Sequence, residues 1–162
     1  MKFVLTSEKK VEFGVELHRI KAVKAIPSIG VEKGELGGWV EKKANLSQEG
    51  DSWVSGDARV FGNAEVFGDA RVYGNAWVSG DAWVFGNARV YGDAWVYGNA
   101  WVSGDARVSG NAKVFGNARV SARISIFGKV KVSLEIKRVE IDTQKDMDNY
   151  IRQNNKQALG ED

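Results

Sequence analysis

The sequence predicts an all-β fold in which short strands wind into a three-sided coil, and a strict repeat is the first observation that predicts it. Valine recurs at every sixth position from Val54 to Val120, so twelve units follow one another in residues 52–121. Each complete unit reads Ala-x-Val-x-Gly-(Asp or Asn), except that Ser52 replaces the first alanine. A fixed period of this kind takes precedence over local secondary-structure preferences.

The second observation is the chemistry of the positions within each unit. Alanine and valine two residues apart point to the same face of a strand. The Gly-Asx pair that follows is typical of a turn, because glycine adopts positive φ and Asx bonds the nearby backbone. Antiparallel hairpins are the alternative, since these pairs also make two-residue turns. Such short strands, with only alanine and valine inside, would build too thin a core. A triangular coil with valines along its axis is therefore favoured.

The elements before the strict repeat are predicted to cap the coil. Residues 1–38 are expected to form a small N-terminal β cap, with a turn at 27–30, because a coil needs its terminal strand edges covered. The coil itself is predicted over 39–132. Val40 and Leu46 are six residues apart, with Ala44 in the alanine position, and a two-residue insertion at 47–50 precedes Val54.

The elements after the repeat are predicted to close the other end. Ile126 and Val132 keep the six-residue phase, while Ile124 and Val130 replace alanine. Residues 133–162 are expected to form a C-terminal cap of strand and helix. Thr143 followed by Asp146 is typical of a helix start.

Composition excludes several classes of function. The chain has 162 residues, net charge +2, no cysteine and one histidine, His18. Disulfides, thiolate metal sites and cysteine nucleophiles are therefore excluded, and a generic polyanion binder would be more basic. DNA mimicry would need an acidic surface, and ice binding would need threonine arrays. The first eight residues hold too short an apolar run for a signal peptide, which predicts a cytoplasmic protein.

The repeat resembles the hexapeptide-repeat family, strictly over 52–121 and loosely over 40–132. That resemblance implies a left-handed parallel β-helix with three hexapeptides per coil. The opening Gly34-Glu-Leu-Gly-Gly-Trp-Val40 followed by Asn45-Leu46 is also similar to short phage and prophage hexapeptide-repeat proteins. This narrower resemblance implies a small, non-catalytic accessory protein.

Eighteen residues per coil would stack each residue on the one 18 positions later, at roughly 4.8 Å. The outward residues then fall on three faces. The first carries Trp53, Arg71, Arg89 and Arg107, flanked by Ser55, Tyr73, Tyr91 and Ser109; the second carries Arg59, Trp77, Trp95 and Lys113, flanked by Phe61, Ser79, Tyr97 and Phe115; the third carries Glu65, Trp83, Trp101 and Arg119, flanked by Phe67, Phe85 and Ser103.

The aromatic residues of the second and third faces predict an interface between subunits or with a partner. Large aromatic side chains gathered on one surface exceed the apolar area that monomers usually expose. The hexapeptide family, in which trimers are common, implies a homotrimer. The alternative is that the ladders only stiffen the sheets. The predicted interface residues are Trp77, Trp83, Trp95, Trp101, Phe67, Phe85, Tyr97 and Phe115.

The arginines of the first face predict either a solvated ladder stacked on tyrosines or a site for an anion such as a nucleotide. The residues of this possible site are Arg71, Arg89, Arg107, Tyr73 and Tyr91. A basic stretch, Arg123, Lys129, Lys131, Lys137 and Arg138, extends it or forms a solvated outer face.

Catalysis is the weakest hypothesis. The resemblance to the hexapeptide-repeat family also brings acyltransferases and carbonic anhydrases into consideration. The acyltransferases use a catalytic histidine on or beside the coils, and the carbonic anhydrases need three histidines that bind the metal. Here His18 lies in the N-terminal cap, where a structural role is expected. The stacked Asp and Asn of the corners are expected to bond each other rather than a metal, so no metal and no cofactor are predicted. The leading hypothesis is a non-catalytic, self-associating phage accessory protein that binds a host factor; anion binding comes second.

Overall fold

Three parallel sheets wound around a common axis form the protein, a parallel β-solenoid of about five turns. The computed structural model describes residues 1–133, together with Asn149 and Arg152. The solenoid strands are β4 (Trp53–Val54), β5 (Arg59–Val60), β6 (Glu65–Val66), β7 (Arg71–Val72), β8 (Trp77–Val78), β9 (Trp83–Val84), β10 (Arg89–Val90), β11 (Trp95–Val96), β12 (Trp101–Val102), β13 (Arg107–Val108), β14 (Lys113–Val114), β15 (Arg119–Val120), β16 (Ser125–Ile126) and β17 (Lys131–Val132).

Each of these strands pairs with the strand three places before or after it. The first sheet contains β4, β7, β10, β13 and β16, and the third contains β6, β9, β12 and β15. The second sheet contains β5, β8, β11, β14 and β17, and it continues at one edge into the N-terminal strands. Consecutive strands of the chain therefore lie on different sides of the solenoid.

The repeated valines and alanines form the core. Every valine from Val54 to Val120 and every alanine from Ala58 to Ala118 within the repeat is completely buried. The glycine two residues after each valine from Val54 to Val114 turns the chain with positive φ, as Gly98 does at 67°. Main-chain hydrogen bonds join successive turns, for example Arg89 N to Ala106 O at 2.9 Å. Apolar burial inside and a continuous backbone ladder between the turns stabilise the solenoid together.

An antiparallel hairpin extends the second sheet at its N-terminal edge. Strands β1 (Phe3–Glu12) and β2 (Val15–Ala22) pair with each other, and β3 (Leu36–Val40) pairs antiparallel with β2 and parallel with β5. A 3-10 turn at Pro27–Ile29 ends at Gly30, whose φ is 71°. Strand β3 thus joins the hairpin to the edge of the second sheet.

Lys2 closes the N-terminal end with a buried ammonium group. Its side chain is completely buried. The Nζ atom donates to the carbonyl of Ser52 at 2.7 Å and to its Oγ at 3.1 Å. Burial lowers the pKa of Lys2 to about 8, although the nearby Asp51 carboxylate opposes this shift. The charge of Lys2 therefore lies close to the acidic corner beside the first sheet, which consists of Asp51 and Asp69.

The first turn of the solenoid departs from the predicted repeat at Ala44. That alanine was expected to point inward, but it is exposed, and Asn45 is buried in its place. A 3-10 turn, Lys43–Asn45, precedes Leu46. Leu46 then lies opposite Val66, because the inserted residues shift the register of this turn. The prediction for Ala44 was therefore wrong.

Asn45 caps the third sheet with its side-chain amide. Its Nδ2 donates to the carbonyls of Gly62 at 3.1 Å and Ala64 at 2.9 Å. In later turns the equivalent carbonyls accept main-chain N–H groups, as Gly80 accepts from Asn63. One amide group thus replaces two backbone donors that this irregular turn does not supply.

At the other end, Ile126 and Val132 are buried and keep the phase of the repeat. The predicted strand and helix cap at 133–162, including Thr143, lies outside the described residues apart from Ser133, Asn149 and Arg152. Asn149 and Arg152 are helical and exposed. In the part of the chain that is described, no helix has the length and apolar character needed to cross a membrane.

Candidate binding faces

The predicted tryptophan and arginine ladders are both present, each on its own sheet. Trp77 pairs with Trp95 in the second sheet, and Trp83 pairs with Trp101 in the third. In the first sheet Arg89 lies between Arg71 and Arg107. Because the strands pair without a shift of register, like side chains stack directly over one another.

The ladder of the second sheet is closed by a cation at each end. The rings of Trp77 and Trp95 are stacked, with centroids 4.7 Å apart and planes 2° from parallel. The guanidinium of Arg59 lies 5.2 Å from the Trp77 ring, and Lys113 Nζ lies 4.9 Å from the Trp95 ring. Tyr97 and Phe115 stack beside this ladder at 5.3 Å. Cations over ring faces are favourable because the face of an indole is electron-rich.

Among the described residues, the ladder of the third sheet has a cation at one end only. Trp83 stacks on Trp101 at 4.9 Å, and Phe67 stacks on Phe85 beside them at 4.9 Å. The guanidinium of Arg119 lies 4.1 Å from the Trp101 ring. The strand residue before Trp83 in this ladder is Glu65. The two ladders thus have nearly equal spacing and different ends.

Stacking reduces the apolar area that the ladders present to solvent. All eight predicted interface residues are half-buried, because each ring covers its neighbour. The most exposed apolar side chains near them are Phe13, at 70 %, and Val11, at 68 %, at the tip of the β1–β2 hairpin. These two residues were absent from the predicted interface.

The tip of the hairpin folds over the second ladder. Phe13 and Gly14 both have positive φ, 51° and 74°, as a two-residue hairpin turn requires. The Phe13 ring meets the Trp77 ring edge-on at 4.5 Å. Glu12 pairs with Arg59 beneath the tip. Burial acts to raise the pKa of Glu12, but hydrogen bonds from Arg59 and Lys10 outweigh it and keep that pKa below its usual range.

Sequence reasoning missed Phe13 because an aromatic residue is a poor signal for a tight turn. Asn-Gly and Asp-Gly are the usual pairs at such positions. The one available signal was Phe13-Gly14 between two alternating segments. That signal marks a hairpin, but it does not show which face the hairpin covers.

The arginines of the first sheet have no charged partner among the residues that the structure describes. Within the described part of the chain, the side chains of Arg71, Arg89 and Arg107 make neither an ion pair nor a hydrogen bond. Tyr73 and Tyr91 stack beside them at 4.9 Å, with planes 1° from parallel. Three stacked cations therefore face solvent without compensation in their own column.

Two shallow depressions of about 230 Å³ each lie on this arginine face. Both are bordered by Arg71 and by Ile29 from the 3-10 turn. One reaches Trp53 and Tyr73, and the other reaches Arg89. The N-terminal segment thus shapes one end of the arginine ladder.

Trp53 does not present an outer face. It was expected to point outward at the start of the arginine column, but it is buried, with 3 % of its surface exposed. Ile29 and Val31 border the same depression. The expectation was wrong because the chain before the repeat folds back over this first strand, which the periodicity alone does not reveal.

Two other predicted features lie away from the ladders. His18 is on β2, where its Nε2 lies 3.4 Å from Glu16 Oε1. Arg123 and Lys129 are exposed near the end of the described chain, whereas Lys137 and Arg138 lie outside it. No group of three or more His, Cys, Asp or Glu side chains among the described residues could hold a metal ion.

Comparison with known families supports a repeat β-solenoid. The chain is similar to a family model described as the YdcK Beta solenoid repeat, which matches residues 64–80, 70–86 and 82–98. These segments contain Trp77, Trp83 and Trp95 from both ladders, together with Arg71 and Arg89. No curated protein matches the chain.

Proposed function

We propose that this chain is a non-catalytic β-solenoid that associates with further copies of itself and acts by binding. The observation that carries this proposal is the pair of tryptophan ladders on the second and third sheets, with spacings of 4.7 and 4.9 Å. A second copy offers the same spacing, so its rings can pack against the third-sheet ladder and against the part of the second-sheet ladder beyond the contact of Phe13 with Trp77. Matching of this kind is characteristic of interfaces between identical subunits.

A homotrimer is the favoured assembly. Two adjacent aromatic sides on each copy suit a closed ring, in which every subunit contacts two neighbours. The similarity to hexapeptide-repeat proteins supports the same number.

Removing the third-sheet ladder is expected to dissociate the assembly. In a Trp83→Ser/Trp101→Ser variant, we expect a mass near that of one chain, 17.8 kDa, where the unaltered protein gives a multiple of it. The reason is that aromatic anchors dominate the energetics of interfaces. Multi-angle light scattering at micromolar concentration measures this directly.

The matched control changes two side chains of the arginine face, Arg71→Ser/Arg107→Ser, and should keep the multiple mass. Circular dichroism checks that both variants retain their strands. A monodisperse monomer of the unaltered protein at micromolar concentration would refute self-association.

The finer features of the fold belong to the same proposal. We infer that each coil consists of three hexapeptides, which the direct pairing of Arg89 with Arg107 supports. The left hand of the coil rests on the similarity to hexapeptide-repeat proteins. A role as a cytoplasmic phage or prophage accessory protein that binds a host factor rests on the narrower similarity at 34–46.

A second candidate function is anion binding by the arginine face. The cations that end the tryptophan ladders are engaged: Arg59 with Glu12 and Trp77, and Lys113 with Trp95. Arg71, Arg89 and Arg107 have no such partner among the described residues. Guanidinium groups left free in a row suit phosphate oxygens, which they can bind in a bidentate manner.

The acidic corner beside this face does not neutralise it. Asp51 and Asp69 border the depression that holds Arg71 and Arg89. However, both carboxylates also lie near the buried ammonium of Lys2, and they oppose the lowering of its pKa by burial. Asp51 further accepts a hydrogen bond from Ser28 at 2.6 Å. Part of the negative charge is thus compensated from within, which leaves the arginines available.

Reversing the charge of Arg89 is expected to abolish anion binding. With ATP as the probe, the unaltered protein should show a thermal shift that falls as salt rises, because exposed charges are screened. Arg89→Glu should remove the shift. The control, Lys43→Glu, makes the same charge change at an exposed position on the 3-10 turn beside the third sheet and should retain it. A shift that persists in Arg89→Glu excludes the ladder as the binding site.

A further inference from the structure

A ring-sized gap interrupts the aromatic column beside the tryptophans of the second sheet. Phe61, Ser79, Tyr97 and Phe115 follow one another in this column because their strands pair directly. Neighbouring rings in such columns stack at 4.9 to 5.3 Å. At Ser79 the ring is missing. The column therefore has room for one more planar group between Phe61 and Tyr97, at about one strand spacing, roughly 4.8 Å, from each.

Aromatic side chains line this gap. Trp77 and Trp95 lie along one side of the gap, and Phe61 and Tyr97 lie at its two ends. The Phe61 ring is edge-on to Trp77, at 71°, and the Tyr97 ring is edge-on to Trp95, at 74°. Phe13 from the hairpin tip borders it from above the Trp77 ring. The resulting groove has a volume of about 330 Å³ and is lined by Phe13, Phe61, Trp77, Ser79, Trp95 and Tyr97.

The gap offers a hydroxyl group rather than a charge. Ser79 lies in its lining, and the Ser79 hydroxyl makes no hydrogen bond to any described residue. The nearest cations are occupied, Arg59 by Glu12 and Lys113 by the Trp95 ring. A charged ligand would find no counter-ion here, whereas an uncharged ring with one polar edge would match the lining.

We propose that this gap, the Ser79 slot, binds a small, uncharged, planar aromatic molecule. Its ring stacks between Phe61 and Tyr97, where it restores the spacing of the column, and its polar edge bonds the Ser79 hydroxyl. Offset stacking of parallel rings is favourable, and a saturated ring is too thick to fill the space in the same way. This inference is independent of the self-association proposed above.

The hairpin tip favours a small molecule over a second copy as the occupant. Phe13 and Val11 project from the surface, with 70 % and 68 % of their area exposed. They would hold a flat partner surface away from the slot beside them, whereas a single ring can enter under Phe13. The slot is therefore a pocket within the aromatic face rather than part of a flat interface.

The other serines of these columns lack the same surroundings. Ser109 lies between Tyr91 and Phe127, but its neighbouring ladder consists of arginines, and Phe127 is 47 % exposed. Ser103 follows Phe85 at the end of the aromatic run of the third sheet. Ser103 therefore serves as a matched position at which a ring can be added without filling the slot.

The test uses 5-fluoroindole as the planar probe and fluorine NMR of the full chain as the measurement. We expect saturable binding to the unaltered protein. Ser79→Tyr should weaken it at least tenfold, because the new ring occupies the slot, whereas Ser103→Tyr should change it less than twofold. A saturated probe of similar size, 4-fluorocyclohexanol, should bind at least tenfold more weakly than 5-fluoroindole.

A second variant tests whether the stacking ring of Phe61 contributes to binding. Phe61→Leu keeps most of the apolar volume but removes one of the two aromatic rings on which the probe stacks, and it should weaken binding several-fold. Ser79→Tyr should also raise the melting temperature by roughly 1–5 °C, since it completes the stack. Equal affinities of Ser79→Tyr and the unaltered protein, or of the two probes, would overturn the proposal. A drop in oligomer mass caused by Ser79→Tyr alone would also overturn it, because a ring of another copy would then be the occupant.

Discussion

Gly98→Ala is expected to destabilise the solenoid by about 2–5 kcal/mol, and Gly30→Ala by only about 1–2 kcal/mol. Both glycines have positive φ, 67° and 71° respectively. A Cβ at Gly98 would lie 2.9 Å from the main-chain nitrogen of Gly116 in the next turn, whereas one at Gly30 meets no described atom within 4 Å. Both variants strain the backbone at positive φ, but only Gly98→Ala creates a close contact between turns. The difference between their losses in the free energy of unfolding therefore measures the cost of that contact.

The Gly98 contact has no easy relief. The carbonyls of Gly98 and Gly116 each accept a main-chain hydrogen bond at 2.8 Å, from Asp81 and Asn99 respectively. Moving the Gly116 backbone away would lengthen these bonds in a stack where every turn rests on its neighbours. Overpacking against fixed backbone is destabilising in addition to the cost of the left-handed conformation.

Urea denaturation followed by circular dichroism gives the free energy of unfolding for both variants. A decrease in Gly98→Ala no larger than that in Gly30→Ala would show that adjacent turns separate easily, contrary to the tight corner seen in the structure.

Asn45→Asp is the second large effect, with an expected loss of about 2–5 kcal/mol. The substitution changes the side-chain shape very little but removes both N–H donors of Nδ2. The carbonyls of Gly62 and Ala64, at 3.1 and 2.9 Å, would then face a carboxylate oxygen instead of a donor. Two buried acceptors without partners and a buried charge act in the same direction.

Asn117→Asp is the matched control for this substitution. Asn117 is exposed at a corner, and its Oδ1 accepts a hydrogen bond from Asn99 at 3.4 Å, which a carboxylate also accepts. We expect its melting temperature to stay within about 2 °C of the unaltered protein. Calorimetry of the two variants compares them directly. Equal melting temperatures would mean that the amide of Asn45 does not cap the third sheet.

Periodicity was sufficient to assign the interior and the stacking partners. Any residue at a valine or alanine position of the repeat lies inside, because a constant period keeps it on the same side of the chain in every turn. The same constancy places Trp77 on Trp95 and Arg71 on Arg89. These assignments depend only on spacing within the chain, so they required no knowledge of distant contacts.

The ends of the solenoid were less predictable, because there the repeat stops. Ala44 matched the pattern in sequence yet is exposed, because a 3-10 turn at Lys43–Asn45 buries Asn45 instead and bonds its amide to the next turn. Trp53 matched an outer position yet is buried by the segment that precedes the repeat. Both errors have one cause: contacts between segments far apart in the chain leave no periodic signal.

The six-residue period is enough to assign which side chains face the axis and which stack in columns, because both follow from that period and from backbone pairing. Which of the stacked groups have partners is visible only in the folded chain. It places Glu12 on Arg59 and Phe13 on Trp77, while Arg71, Arg89 and Arg107 stay free among the described residues. The physical reason is that partnership depends on how the N-terminal hairpin folds across the sheets, and no local spacing records that path.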